Sequence, residues 1–416
     1  MQRRQQHDHR RRRGRRRRHP LGRDRVRRSG ARHQEERVTL VRASKEKLHV
    51  GRPNIGDRDA LMARFNDLLD RRWLTNSGPF VNELEQRLAA WLGVQHVVAV
   101  CNATVALEIA IKALELCGEV IVPSFTFVAT AHALQWQEIT PVFCDIDPHT
   151  HMLDAEEVEM RITPRTTGIM GVHLWGRTCD VEALTRVAER HELALLFDAA
   201  HAFGCSRGGV MVGNFGTAEV FSFHATKFFN TFEGGAIATN DATLARKMRL
   251  MTNFGFAGYD DVVSIGTNGK MSEIAAAMGI TNLESIQQFI DVNRANYERY
   301  RAGLAGIPAI CMLEYDDRDR TNYQYIVVEI DNERSASSRD AIVDALWKQD
   351  IYARRYFYPG CHRMEPYRSL APHNQLLLPR TEDLVQRTLV LPTGTAVSED
   401  DIDFICGFLR AAVTGT

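Results

Sequence analysis

The chain has 416 residues, 44% of them hydrophobic and 25% charged, which leaves room for a large globular domain and a smaller one. No run of eighteen or more apolar residues occurs, so no membrane-spanning helix is expected. The eight cysteines are scattered and form no C-x-x-C pair. That argues against zinc or any other metal site and against a disulfide framework, and for a reducing cytoplasm.

A formal net charge of zero hides an uneven distribution. Residues 1–37 hold 16 arginines, no lysine and four acids (Asp8, Asp24, Glu35, Glu36), while the remainder sets 36 basic against 48 acidic residues, a balance of −12. So dense an arginine run cannot build a core and is expected to be disordered. It has no apolar stretch for a secretory signal, and its acids and scarce serine suit a transit peptide poorly. A nucleic-acid-binding tail is one reading. The preferred one is translation from an upstream start, with Val38 as one candidate for the true start, so no nucleic-acid partner is expected.

From Leu48 the chain reads as a folded enzyme. Apolar spacing predicts helices over Asp57–Arg71 and Phe80–Leu92, separated by the turn-rich Arg72–Pro79. Strands and helices then alternate. Strands are predicted at His96–Val100, Glu119–Pro123, Pro141–Asp145, Gly168–Leu174 and Leu193–Phe197. Helices are predicted at Ala103–Leu114, Phe127–Leu134, Asp154–Arg161 and Val181–His191. Short apolar runs between amphipathic helices indicate a parallel sheet covered on both faces. Val220–Phe223 and Ala236–Thr239 follow without long helices between them, so the sheet is expected to turn mixed there. One long helical region, Met271 to about Leu304, would lead into a smaller α/β domain. That domain has strand-like Tyr323–Ile330, a helix Arg339–Gln349 and a closing helix Glu399–Ala411. The division expected is a large domain over 48–290 and a small one over 291–416.

The chemistry is concentrated behind strands. Phe221-Ser-Phe-His-Ala-Thr-Lys227 is an apolar run ending on a lysine, followed by Glu233-Gly-Gly235. Burying an ammonium is costly, and one resolution is a Schiff base, for which pyridoxal 5′-phosphate is the natural carbonyl partner. Its ring nitrogen wants an acid opposite, and Asp198, at the end of another apolar strand, is the candidate. A capping role is the plainer alternative. His201, three residues on, could contact the ring hydroxyl or be only a satisfied polar residue at a helix start. Ser222 could reach the phosphate or be bonded to backbone. Cys101-Asn-Ala-Thr104 places small residues and a hydroxyl at a helix start, which suits a phosphate, though a threonine there often only caps. In Pro123-Ser-Phe-Thr-Phe-Val-Ala-Thr130, Phe127 is the first choice to stack on a flat ring, with Phe125 its rival and a plain core role for either still open.

These segments, with Gly266-Thr-Asn-Gly-Lys-Met-Ser-Glu273, resemble the DegT/DnrJ/EryC1/StrS family of sugar aminotransferases over roughly residues 48–412. The resemblance implies an α/β fold of pyridoxal-phosphate fold type I (aspartate aminotransferase-like), with a mostly parallel sheet in the large domain. It implies Lys227 as the cofactor lysine, Asp198 as the pyridine partner, Ala103, Thr104 and Ser222 at the phosphate, and Phe127 on the ring. Asn268 would reach the cofactor phosphate of the neighbouring subunit, which makes the expected assembly a homodimer with shared sites. The family's usual aromatic before that asparagine is Thr267 here. An intact Lys227 favours transamination over the family's dehydratases, which carry histidine there. Ser222-Phe-His-Ala-Thr-Lys227 resembles the branch that aminates C4 of a nucleotide-linked keto sugar, the dTDP-4-amino-4,6-dideoxyglucose transaminases, rather than the C3 branch. L-glutamate would be the donor, leaving 2-oxoglutarate. The segment Arg354-Arg-Tyr-Phe-Tyr-Pro359 with His362 is dense in aromatic and basic groups. Arg354, Arg355, Tyr356, Tyr358 and His362 are candidates to hold the nucleotide diphosphate, a plain basic loop being the alternative.

Overall fold

The computed structural model describes residues 46–416. The expectation of a disordered arginine-rich tail over 1–37 lies outside the described residues. Seven strands form the central sheet: β1 (His96–Val100), β2 (Glu119–Pro123), β3 (Thr140–Cys144), β4 (Thr166–Val172), β5 (Ala194–Asp198), β6 (Ala218–Ser222) and β7 (Gly235–Thr239). Their spatial order is β1-β7-β6-β5-β4-β2-β3. All neighbours from β6 to β3 run parallel, while β7 is antiparallel to both β1 and β6. The sheet does turn mixed where the long helices run out.

The strands are apolar on both sides because both faces are covered. Val98, Val122, Leu196, Val220 and Ile237 point to one layer, against Ala103–Ala113 and Ala242–Thr252. On the other face Phe221, Ala236 and Ala238 meet Pro79–Leu92 and Glu273–Glu284, while Ile121, Ile169 and Phe197 meet Val181–Arg190. Most predicted ends fall within two residues of those observed, since local chemistry sets them. Asp57 accepts the amides of Asp59 and Ala60 at the first helix start, and Gly93 closes the second helix in a left-handed conformation.

Three departures have physical causes. The single helix expected over 271–304 is two, Glu273–Glu284 and Ile286–Leu304, broken at Ser285. The first of these is buried nearly all round, and Gly279 sits so close to Leu84 and Thr231 that a Cβ would stand 2.9 Å from each. The expected strand Tyr323–Ile330 begins only at Ile326, because Tyr323 has φ +48°. The unexpected helices Ala242–Thr252 and Pro379–Arg387 complete the layers. Beyond residue 291, Ile326–Ile330 is the middle strand of a three-stranded antiparallel sheet with Ile310–Met312 and Thr388–Leu391. Two-residue strands Leu48–His49 and Ile351–Tyr352 pair in parallel.

Candidate active site

The sheet's parallel strands end together, and the site lies beyond those ends, as in open α/β sheets generally. Asp198 is the last residue of β5 and is buried. Its carboxylate accepts the Thr130 hydroxyl at 2.8 Å and the Ala200 amide at 3.1 Å. Burial pushes its pKa up, against the pull of these two bonds and of the Lys227 charge. Lys227 leaves the end of β6 by a short turn, and its Nζ lies 3.2 Å from the Tyr325 hydroxyl. Burial lowers the Lys227 pKa to about 8, against the opposing charge of Asp198. An ammonium and a carboxylate so placed belong to one electrostatic unit.

The loop carrying Lys227 is fastened from behind by three asparagines. Asn54 donates to Phe228 O at 2.9 Å, Asn230 to Asn54 O at 2.9 Å, and Asn282 to Asn230 O at 2.8 Å. Asn282 also accepts the Gly56 amide at 2.9 Å. Buried amide bonds of this kind fix the backbone from which the lysine projects.

His201 is buried beside this pair, 4.3 Å from the Tyr325 ring and 5.6 Å from Trp175 by ring centres. Among the described residues its Nδ1 has no hydrogen-bond partner, and burial with the nearby Lys227 charge drives its pKa well down. A neutral imidazole with such an atom can take a hydrogen bond from or give one to a ligand group. Trp175, Tyr356 and Phe357 extend the aromatic wall.

At the opposite side, Asn102 rather than Thr104 caps the Ala103–Ala113 helix, accepting the Val105 amide at 2.9 Å. Thr104 is exposed in the first turn. The first amides of a helix have no partner within it, so those of Ala103 and Thr104 can take an anion. Ser222 pairs in register with Gly235, and a Cβ at Gly235 would stand 2.8 Å from Ala103 N and 2.9 Å from Phe221 O. Only glycine lets the strand pass so close, and it brings Ser222 beside the helix start. Phe127 and Phe125 separate clearly. Phe125 is fully buried against Trp175 and Phe357, whereas Phe127 is 60% exposed.

Asn268 is exposed on a segment running along β1, the edge strand, with Lys270 bridging Val100 and Gly269 O accepting the Cys101 amide at 2.7 Å. Of the substrate candidates, Tyr356 joins the wall, 6.3 Å from Tyr325, and carries Arg354 over its ring at 5.4 Å. Arg355 pairs with Asp340 at 3.2 Å and lies over Tyr358. Arg354, Arg355 and Tyr358 line a cleft of about 430 Å3 with His49 and Tyr352. His362 stands apart from them. It is buried, with Nδ1 at 2.6 Å from Ser124 Oγ and Nε2 at 2.5 Å from Glu382. Both its ring nitrogens are engaged, so it braces the 354–362 loop against the end of β2 and has none left for a substrate. Tyr325 and Thr130 carry site contacts that no sequence signal had assigned.

A basic ring nitrogen for Asp198, an aldehyde carbon for Lys227, a phenolic oxygen for His201 and a phosphate for the helix start together fit pyridoxal phosphate. The fold and site define a pyridoxal-phosphate-dependent aminotransferase of fold type I. The chain matches the DegT/DnrJ/EryC1/StrS aminotransferase family over residues 56–410 and belongs to that family. It is 37% identical to the dTDP-4-amino-4,6-dideoxy-D-glucose transaminase of Escherichia coli over 354 residues, 84% of this chain and 95% of that one. Among solved structures, it resembles DesI in the presence of its TDP-sugar product, with TM-score 0.85 and 49% identity over 90% of this chain and 95% of that one. The PLP form of the sugar aminotransferase Spr1654 from Streptococcus pneumoniae has TM-score 0.82 and 25% identity over 89% and 99% of the two chains. Among the described residues no helix is long and apolar enough to cross a membrane.

Proposed function

We propose that the chain moves the amino group of L-glutamate to C4 of a nucleotide-linked 4-keto-6-deoxyhexose, dTDP-4-keto-6-deoxyglucose, in the biosynthesis of deoxyaminosugars. The enzyme works in the cytoplasm as a homodimer. A large domain over 48–290 holds the cofactor, and a small domain spans 291–416. The observation that carries this reading is the lysine of lowered pKa beside buried Asp198 and buried His201, whose Nδ1 has no partner among the described residues; the Ala103–Ala113 helix start suits the cofactor's phosphate. The choice of sugar is supported by relatives that are dTDP-4-amino-4,6-dideoxy-D-glucose transaminases.

When bound, pyridoxal phosphate supplies a conjugated ring that accepts the electron pair of a breaking C–H bond. Asp198 keeps the ring nitrogen protonated. His201 meets the ring hydroxyl. The amides of Ala103 and Thr104 and the Ser222 hydroxyl hold the phosphate, and Phe127 covers the ring. With its pKa near 8, Lys227 is partly neutral near neutrality and serves as base and then acid, moving the proton to or from sugar C4. Arg354, Arg355 and Tyr358 border the cleft for the diphosphate, and Tyr356, on the same segment, lies in the aromatic wall near Tyr325. Asn268 reaches across the dimer to the partner's phosphate.

Incubation with glutamate and a panel of keto sugar nucleotides, read by mass spectrometry, tests the substrate. A 4-amino product and stoichiometric 2-oxoglutarate are expected; ammonia release or amination at C3 would refute the assignment. Borohydride reduction should fix the cofactor on the peptide bearing Lys227. Mixing inactive Lys227→Ala with impaired Asn268→Ala should restore partial activity, and no recovery after verified subunit exchange counts against a shared site.

A further inference from the structure

Among the described residues, Lys227 Nζ has one hydrogen-bond partner, the Tyr325 hydroxyl at 3.2 Å. Tyr325 is buried just before the strand Ile326–Ile330. Its ring is held by His201 at 4.3 Å and by Trp175 edge-on at 5.4 Å. Its carbonyl accepts the Tyr315 hydroxyl at 3.0 Å. The phenol therefore points in one direction, and burial keeps it protonated by raising its pKa well above the usual range. A neutral phenol both accepts and donates. It can accept from the ammonium form of lysine and donate to the free amine.

We propose that Tyr325 is the positioning residue for Lys227, holding its nitrogen in one place beside Asp198 in both protonation states, so that the proton is delivered to a single face of the substrate carbon. The role rests on Lys227 being the cofactor lysine. It also accounts for the late start of the strand: with Tyr323 at φ +48°, the chain joins the sheet only at Ile326, just after Tyr325 meets the site.

The test uses the full-length protein in its apo form, so that it does not depend on turnover. Lys227 is labelled competitively with acetic anhydride across pH and quantified by mass spectrometry. Only the neutral amine reacts, so the labelling midpoint reports the lysine pKa. A hydrogen bond to an ammonium is roughly twice as strong as one to a neutral amine, so loss of the hydroxyl disfavours the charged form. Tyr325→Phe should lower the midpoint by about half to one pH unit, and Tyr325→Met, a second variant without the hydroxyl, should lower it likewise. In the loaded enzyme the glutamate half-reaction of Tyr325→Phe should slow roughly three- to tenfold with KM unchanged. An unchanged or higher midpoint in the variant that folds overturns the proposal. Borohydride labelling at a different lysine would instead overturn the cofactor assignment, so the two failures are distinguishable.

Discussion

Two buried histidines follow the ends of adjacent strands, and their surroundings are opposites. His173, just after β4, stacks on Phe197 at 4.5 Å and is matched at both nitrogens. Its Nδ1 accepts the Cys179 amide at 3.0 Å, which leaves the proton on Nε2 for Glu219 at 2.9 Å. The second oxygen of Glu219 takes the amides of Gly213 and Phe215. His201, beyond β5, has a buried Nδ1 with no partner among the described residues and lies near a lysine of lowered pKa and a carboxyl of raised pKa. Phe197 and Asp198 are consecutive residues, so one strand borders both environments. A polar cluster that is fully matched rigidifies the fold. One left unmatched at the open end of the sheet costs stability and is repaid only by a ligand. Function is legible in the difference.

The contrast can be broken most sharply at Lys227. Lys227→Ala should lower turnover by roughly 10⁴-fold or more, since both attachment and proton transfer go with it, while its fold, followed by circular dichroism, should persist. Asp198→Asn should retain cofactor, seen by absorbance, and lose on the order of 10²- to 10³-fold in kcat; a rate near wild type would remove Asp198 from its role. At the matched site the effect should be on stability alone. Glu219→Gln leaves an amide where two backbone donors and a histidine need a carboxylate, at a cost on the order of 3 kcal/mol in urea unfolding, with kcat of the folded fraction unchanged.

The smallest effect has the opposite sign. The Lys227 pKa is about 8 folded against 10.5 as the ordinary value. Between those pH values the unfolded chain binds more protons, so the contribution of this lysine to stability rises with pH across the window and is least below pH 8. Lys227→Met should therefore stabilise the apo-protein at pH 7 by about 1–3 kcal/mol, and the gain should shrink towards pH 10. A destabilised variant at pH 7 would mean that the lysine is accommodated without cost.

The strands that frame this comparison were readable because a sheet covered on both faces demands continuous apolar runs, and those runs end on Asp198 and shortly before Lys227. The helix Ala242–Thr252 carried its own signals, Asp241 as a cap and Leu244, Met248 and Met251 at helical spacing, yet a strand-rich context masked them. Phe125 and Phe127 differ in burial for a reason that no loop sequence displays, since a loop has no periodicity to show which side chain turns inward. The same holds for His362, whose aromatic and basic neighbours suggest a ligand site while Ser124 and Glu382, 238 and 20 residues away, engage its ring. Tyr325 was hidden within the predicted strand Tyr323–Ile330, directly before the β-branched run Ile326-Val-Val328.

The pairing of Leu48–His49 with Ile351–Tyr352 sets a timetable. During synthesis the earlier segment leaves the ribosome roughly 15–60 s before its partner, at typical elongation rates. The strands of the central sheet end at Thr239 and the helices that cover it end at Glu284, so all of them precede that partner in the chain. The loop bearing Arg354 and Tyr358 follows directly on Ile351–Tyr352, the partner of Leu48–His49, so the cleft that it lines is among the last parts of the molecule to be completed.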